Sequence, residues 1–235
     1  IYGDADNDTL YGGVGNDTLY GGTQTDLLYG GEGNDVFVVD TAADVVFGEN
    51  GTDLVLASVD YSIDRSPDGE PASEDVENLT LLSGATTGSG NELDNILTGN
   101  AAANILFGDT GADTLSGEGG TDSLYGGLGD DVYIQNGSLD EIFEAQVAGT
   151  DTTIFSNIAN AILAQNVENL VIGANVGSVS GNQANNLIST NGDDNLVYGL
   201  QGADTIGFNQ LTGFFSNAGD DTMYGGDGDD SILGI

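Results

Sequence analysis

The chain has 235 residues, of which 39 are acidic and one is basic, so its formal net charge is −38. It contains 39 glycines and no His, Cys, Lys or Trp. These counts exclude disulfides, thiolate and imidazole metal sites, Schiff-base chemistry and most nucleophile–base pairs. Because Arg65 is the only basic residue, phosphate backbones and anionic membranes would repel the chain, and we expect no nucleic acid partner.

The composition lies near that of disordered proteins, because the apolar fraction is only 38% and the charge is almost all of one sign. We therefore expect folding to require bound cations. No apolar run approaches the roughly 18 residues of a membrane-spanning helix, so we expect no membrane insertion. The first and last residues read as parts of further repeats, which suggests a window cut from a longer chain.

A repeat of nine residues organises the chain. We divide the sequence into repeat blocks at 1–38, 90–134 and 181–235, the last with an eight-residue insertion at 208–215. Across 14 units the eighth position is apolar, and the sixth is Asp in ten units and Asn in four. The asparagines are Asn95, Asn104, Asn186 and Asn195. The aspartates are Asp8, Asp17, Asp26, Asp35, Asp113, Asp122, Asp131, Asp204, Asp221 and Asp230.

Glycine at the first, second and fourth positions argues against a helix, since each interior glycine costs about 1 kcal/mol. A short strand with one inward apolar side chain, followed by a glycine-permitted turn, fits the period. Two units would form one coil, and stacking would bring identical turns about 4.8 Å apart. Carboxylates at that spacing repel unless a cation lies between them. A site of carboxylate and carbonyl oxygens alone favours calcium over magnesium.

The unit at 12–20, GGVGNDTLY, resembles GGxGxDxUx, the signature of the RTX (repeats-in-toxin) family. The resemblance implies an all-β fold, a right-handed parallel β-roll or β-helix solenoid with several Ca²⁺ ions between stacked turns. It also implies that sixth-position carboxylates and backbone carbonyls of positions one to four bind calcium, so that Asp8 would share an ion with Asp26. The glycines assigned to metal sites in this way are Gly13, Gly15, Gly22, Gly31, Gly33, Gly111, Gly120, Gly127, Gly129, Gly202, Gly219, Gly226 and Gly228.

The sequence departs from this pattern in two ways. Gln24 stands at a fourth position where glycine is usual, and the units that open the second and third blocks carry Asn at the sixth position. Amides are neutral ligands, so we expect weak sites there and amide hydrogen bonds that cap those turns.

The stretches between the blocks, 39–89 and 135–180, lack the nonapeptide but resemble each other. The tetrapeptide VENL at 76–79 recurs at 167–170. Short β-branched runs separated by Gly, Asn and Asp predict strands and turns there. We interpret both stretches as wider coils of one continuous solenoid, and Arg65–Pro71 as a surface loop.

Two motifs of other kinds are better explained by the repeat. Asp4–Asp8 begins like an EF-hand loop but lacks its later Gly and Glu. Asp109–Gly111 matches the triplet of aspartic proteases, which need a second copy that the chain lacks. We therefore predict no catalytic residues, no organic cofactor and no enzymatic activity.

Two apolar features leave alternatives open. The insertion at 208–215 either closes a core gap or presents Phe214 or Phe215 as a contact patch. The ninth-position tyrosines form a partial column that either packs on the strand face or binds a neutral glycan. These tyrosines are Tyr11, Tyr20, Tyr29, Tyr125, Tyr198 and Tyr224.

Calcium that binds only ordered turns couples binding to folding, so the chain should be unfolded at micromolar calcium and folded at millimolar calcium. With the RTX resemblance, this predicts a structural segment of a secreted bacterial protein, in an adhesin, a surface layer or an extracellular filament. The alternative is a calcium-binding module of a secreted protease or lipase whose catalytic domain lies outside this sequence. Self-association end to end or laterally is a further expectation.

Overall fold

The structure is a computed structural model and describes residues 1–64, 76–137, 140–145, 149–208 and 221–233. These residues form 24 short β-strands, and none of them lies in a helix long and apolar enough to cross a membrane. The strands are β1 (Thr9–Val14), β2 (Thr18–Tyr20), β3 (Leu27–Glu32), β4 (Val36–Val39), β5 (Val45–Asn50), β6 (Leu54–Ala57), β7 (Tyr61–Ser62), β8 (Asn78–Leu81), β9 (Thr87–Ser89), β10 (Ile96–Thr98), β11 (Ile105–Thr110), β12 (Thr114–Ser116), β13 (Ser123–Leu128), β14 (Val132–Asn136), β15 (Glu141–Phe143), β16 (Thr152–Ser156), β17 (Asn160–Ile162), β18 (Asn169–Ile172), β19 (Ser178–Ser180), β20 (Leu187–Thr190), β21 (Leu196–Gln201), β22 (Thr205–Phe208), β23 (Thr222–Asp227) and β24 (Ser231–Leu233).

Within the repeat blocks, each strand begins directly after a sixth-position residue. Alternate side chains of β4 and β6 are buried, as expected of strands with one face on a core. Strands of the same kind pair in parallel with a step of one coil: Thr9 lies opposite Leu27, and Ile105 opposite Ser123. Two units therefore form one coil, and the predicted all-β parallel solenoid is confirmed.

The strands form two walls along the solenoid. All twelve even-numbered strands lie in chain order in one sheet. The odd-numbered strands form three shorter sheets, of β1 to β5, β7 to β15 and β17 to β23. The second wall is thus interrupted at the two stretches that lack the simple repeat, while the first wall continues through them.

The eighth-position side chains fill the space between the walls. Leu97 and Leu115 on one wall, and Leu106 and Leu124 on the other, are fully buried. Each lies in register with its counterpart one coil away, so the leucines form continuous columns. Burial of one such side chain stabilises the fold by about 2 kcal/mol.

The nine-residue period continues beyond the first block. Val45 pairs with Leu27, and Leu54 pairs with Val36. Residues 39–56 therefore form two further nonapeptide units that sequence analysis placed in the first insert.

Longer insertions leave the register intact. Asp204 and Asp230 occupy equivalent positions in neighbouring coils although they are 26 residues apart. The predicted loop at Arg65–Pro71, Gly219 and most of the insertion at 208–215 lie outside the described residues.

Candidate metal centre

The sixth-position carboxylates form a ladder in which each is hydrogen-bonded to the preceding coil. The backbone N–H of Asp17 donates to Asp35 Oδ1 at 2.7 Å, and that of Asp113 donates to Asp131 Oδ1 at 2.8 Å. The backbone N–H of Asp8 donates in the same way to Asp26 Oδ1. One oxygen of each accepting carboxylate is thereby held in a fixed orientation.

The second oxygen of most ladder carboxylates is buried and has no hydrogen-bond partner among the described residues. An ionised carboxylate in this state opposes folding unless a cation or a proton neutralises it. The aspartates with such an Oδ2 atom include Asp8, Asp26, Asp35, Asp113, Asp122, Asp131, Asp151 and Asp204.

In the repeat blocks these Oδ2 atoms lie close to the first glycine of their own unit. On Gly108, the place that a Cβ atom would fill lies against Asp113 Oδ2 and against the carbonyl oxygen of Gly126 in the next coil. The same arrangement recurs at Gly199. The list of predicted site glycines does not include these first-position residues, although the RTX resemblance implies position one as a ligand. Because they have no Cβ atom, they leave a space lined by oxygen atoms.

This donor set fits calcium. It consists of a carboxylate oxygen from one coil and a carbonyl oxygen from the next, without nitrogen or sulfur. Calcium accepts six to eight such oxygens in flexible geometry, whereas magnesium demands a near-ideal octahedron. The residues present thus suit the ion that the sequence predicts.

The predicted glycines at the second and fourth positions hold the turns in a left-handed conformation, with φ between 91° and 147°. A Cβ atom on Gly31 would overlap the carbonyl oxygen of Gly13, so these glycines allow turns to stack closely. Gln24 adopts the same conformation, with φ of 82°, and this departure from the pattern preserves the turn. The glycines concerned are Gly13, Gly15, Gly22, Gly31, Gly33, Gly111, Gly120, Gly127, Gly129, Gly202, Gly226 and Gly228.

Three of the four sixth-position asparagines are capped by internal hydrogen bonds. Asn95 Oδ1 accepts the Asn91 N–H at 2.8 Å, and Asn95 Nδ2 donates to Asn91 Oδ1 and to the Glu77 carbonyl oxygen. Asn186 makes the same contacts with Asn182. These amides are therefore satisfied by the protein, as expected for capped turns.

The recurring VENL tetrapeptide ends each run of ladder carboxylates. Glu77 Oε2 accepts the Asp53 N–H at 2.7 Å, and Glu168 Oε2 accepts the Asp151 N–H at 2.9 Å. The longer glutamate side chain thus replaces aspartate where the step between coils departs from 18 residues, with 24 residues from Asp53 to Glu77 and 17 from Asp151 to Glu168. A strict nine-residue period does not identify this role, because the spacing changes at both points.

The ladder residues form two columns, one at each edge of the coils. The column beside the twelve-stranded sheet consists of Asp17, Asp35, Asp53, Glu77, Asn95, Asp113, Asp131, Asp151, Glu168, Asn186, Asp204 and Asp230. The other column consists of Asp8, Asp26, Asp44, Asn104, Asp122, Asp140, Asn195 and Asp221.

Four aspartates of these columns were missed by sequence analysis. Asp44, Asp53 and Asp140 each lie 18 residues beyond a predicted aspartate, so extending the period would have identified them. Asp151 lies 20 residues after Asp131, and the two additional residues hide it from a strict period.

The ninth-position aromatic rings stack on one another on the outer face. Tyr125 lies between Phe107 and Phe143, with ring centroids 4.8 and 4.5 Å away, and Tyr198 stacks on Tyr224 at 5.2 Å. Each stacked pair contributes about 1 kcal/mol. The faces of an inner ring are covered by its neighbours, which supports packing on the strand face.

Burial raises the pKa of several ladder carboxyls in the metal-free chain. The pKa of Asp113 is raised to about 7 and that of Asp44 to about 6, first by burial and then by a neighbouring carboxylate. The pKa of Asp151 is raised to about 6 for the same reasons. Hydrogen bonds from the backbone oppose these shifts without cancelling them.

We expect the metal-free chain to gain β-structure as the pH falls from about 7.5 to about 5. Because the folded-state pKa values of Asp113 and Asp151 are raised, the folded state binds protons that the unfolded state releases. Stability from these groups is fully present below the ordinary carboxyl pKa of about 4 and is lost as the pH rises through about 6 to 7. Circular dichroism of the metal-free chain across this range measures the effect.

The same titration in millimolar calcium serves as the control. Acid should then weaken the fold, because protons compete with the ion for the same oxygens. A metal-free chain whose β-signal is unchanged or smaller at the acid end would show that burial of these carboxyls does not limit folding.

The family of RTX calcium-binding nonapeptide repeats (four copies) matches more than half of the chain. The matched residues are 2–37, 29–59, 89–124, 98–133, 177–206 and 214–234. No curated protein sequence gives a significant match. The match at 29–59 includes the two units at 39–56 that the register revealed, and the repeat is a structural calcium-binding module. The chain therefore belongs to the family of RTX calcium-binding nonapeptide repeat proteins.

Proposed function

We propose that this chain is a calcium-dependent structural segment of a secreted bacterial protein, such as an adhesin, a surface layer or an extracellular filament. In this proposal, calcium ions between coils are bound by the sixth-position aspartates and by carbonyl oxygens of the repeat glycines. The chain folds when it meets calcium outside the cell, and copies of it associate end to end or laterally.

The observation that carries the proposal is the column of buried carboxylate oxygens without partners. In the second block Asp113, Asp122 and Asp131 are at most 1% exposed, and each keeps one such oxygen. In a chain of net charge −38, stacking these groups without cations opposes folding. An ion that binds only the stacked turns therefore contributes its binding free energy to folding.

This coupling also supports an extracellular location. RTX repeat proteins are typically secreted by the type I route. A chain that stays unfolded at micromolar calcium can be exported unfolded, and the millimolar calcium outside then fills sites of modest affinity.

The second candidate is a calcium-binding module of a secreted protease or lipase. The repeat itself is non-catalytic, so an enzyme would need a catalytic domain outside this sequence. Flanking sequence that carries a zinc-binding HExxH or a GxSxG would favour this assignment.

A calcium titration followed by circular dichroism, with magnesium as the control, tests the shared part of these proposals. We expect a cooperative gain of β-signal with calcium and little change with magnesium. Scattered light measured on the same sample tests self-association, which should appear as scatter that rises with calcium.

Two results would contradict the proposal. A chain that is equally folded in chelator would show that its core is sufficient without ions. A chain that folds but stays monomeric at millimolar calcium would remove the assembly part and favour the module of an enzyme.

A further inference from the structure

One coil of the solenoid carries two unusual polar side chains. Tyr133 occupies the eighth position and is completely buried. Glu144 follows Phe143, the register partner of Tyr125, so it occupies the place that a first-position glycine takes in the repeat. The Tyr133 hydroxyl donates a hydrogen bond to Glu144 Oε1, which shows that both side chains turn towards the same space.

Glu144 brings a third carboxylate to the ladder at this coil. One oxygen atom each of Asp131, Glu144 and Asp151 lie within 4.8 Å of one another. Three carboxylates at this separation do not all remain ionised unless a cation lies among them.

Two further observations describe the space that these side chains share. The place that a Cβ atom would fill on Gly126 lies against Asp131 Oδ2, Glu144 Oε1 and the Tyr133 hydroxyl. Asp131 and Asp151 are each 1% exposed. The Oδ2 atoms of both, and Glu144 Oε2, are buried and have no hydrogen-bond partner among the described residues.

We propose that Asp131, Glu144 and Asp151 hold one cation in a site that differs from the repeat turns and fills at a lower calcium concentration. In a repeat turn such as that of Asp113, the next coil contributes a glycine carbonyl oxygen beside the carboxylate. Here Glu144 contributes a carboxylate instead. Calcium sites become tighter as more of their ligands are charged.

Terbium, a trivalent ion that takes calcium-like oxygen sites, tests the proposal on the full chain. The chain has no Trp, so terbium emission must be excited through tyrosine, and the Tyr133 hydroxyl belongs to the cluster. We expect the first equivalent of terbium to emit under tyrosine excitation and calcium to compete for it. Glu144→Gln should raise the terbium concentration that half-fills this first site by about tenfold or more.

Two variants separate this site from the repeat turns and from general effects on folding. Tyr133→Phe should abolish most of the emission of the first equivalent and leave the calcium affinity of that site within about threefold. The fold tolerates Phe in this column, since Phe37 is fully buried at the eighth position of the first block. Asp204→Asn removes one carboxylate from a repeat turn and should leave the first equivalent unchanged.

The expected pattern is loss of the tight site in Glu144→Gln and loss of emission alone in Tyr133→Phe. If Glu144→Gln binds the first terbium as tightly as the unsubstituted chain, Glu144 is a protonated partner of Tyr133 and the site does not exist. If Tyr133→Phe keeps the full emission, the tight ion lies elsewhere. If Glu144→Gln fails to fold in saturating calcium, Tyr133→Phe decides alone. Either negative result leaves the proposed function intact as long as calcium still folds the chain.

Discussion

Gly129→Ala should destabilise the calcium-bound chain by about 2 to 5 kcal/mol. Gly129 has a φ of 141°, where a side chain adds about 1–2 kcal/mol of backbone strain. Its new Cβ atom would also overlap the carbonyl oxygen of Gly111 in the preceding coil. That oxygen belongs to the backbone of a stacked turn, so relieving the overlap requires the coils to separate locally.

Gly15→Ala is the matched control for this substitution. Gly15 holds the same fourth position with a φ of 115°, but no atom of the described residues lies within 4 Å of the place for its Cβ. Only the conformational cost of about 1 kcal/mol should remain. The midpoint of urea unfolding in saturating calcium measures both variants. Equal losses would mean that the turn conformation, and not the close stacking of coils, is what Gly129 provides.

The regular part of the fold could be predicted because a strict period places identical residues on top of one another. Once two nine-residue units form one coil, the position of Asp8 determines that of Asp26 in the next coil, and Leu106 stacks on Leu124. Both the core and the ladder follow from this rule, because neither depends on contacts outside the repeat.

The missed residues depend on insertion length and on side-chain reach, which the nonapeptide does not encode. Asp151 returns to the ladder after two additional residues, and Glu77 reaches it with a longer side chain from a widened coil. Glu144 occupies the place that a first-position glycine takes in the repeat blocks, and its inward direction is evident only from its contacts in the structure. The positions of these side chains depend on how coils of other lengths pack between coils of 18 residues.

Asp113→Asn should have opposite effects in the absence and in the presence of calcium. In metal-free buffer at neutral pH, it removes a charge whose pKa burial raises to about 7, and the folded state should gain on the order of 2 kcal/mol. An amide fits this place, because Asn95 occupies it one coil earlier. The backbone N–H of Asn95 donates to Asp113 Oδ1, and the variant retains that oxygen. With calcium, the loss of a charged ligand should raise the calcium concentration at the folding midpoint by about tenfold.

The metal-free arm is measured as the concentration of trimethylamine N-oxide that induces folding, since this osmolyte favours compact states. The calcium arm is measured as the midpoint of a calcium titration.

Asp94→Asn is the control, because Asp94 is exposed and its Oδ1 accepts the Ala112 N–H at 2.8 Å, an interaction that the amide can keep. It removes the same charge outside the ladder and should change both midpoints little. If Asp113→Asn weakened the fold in both conditions, its carboxylate would support the fold without a cation, as a hydrogen-bond acceptor does. Effects of opposite sign on stability without and with calcium distinguish a metal ligand from such an acceptor. Only a buried metal ligand destabilises the fold while its ion is absent.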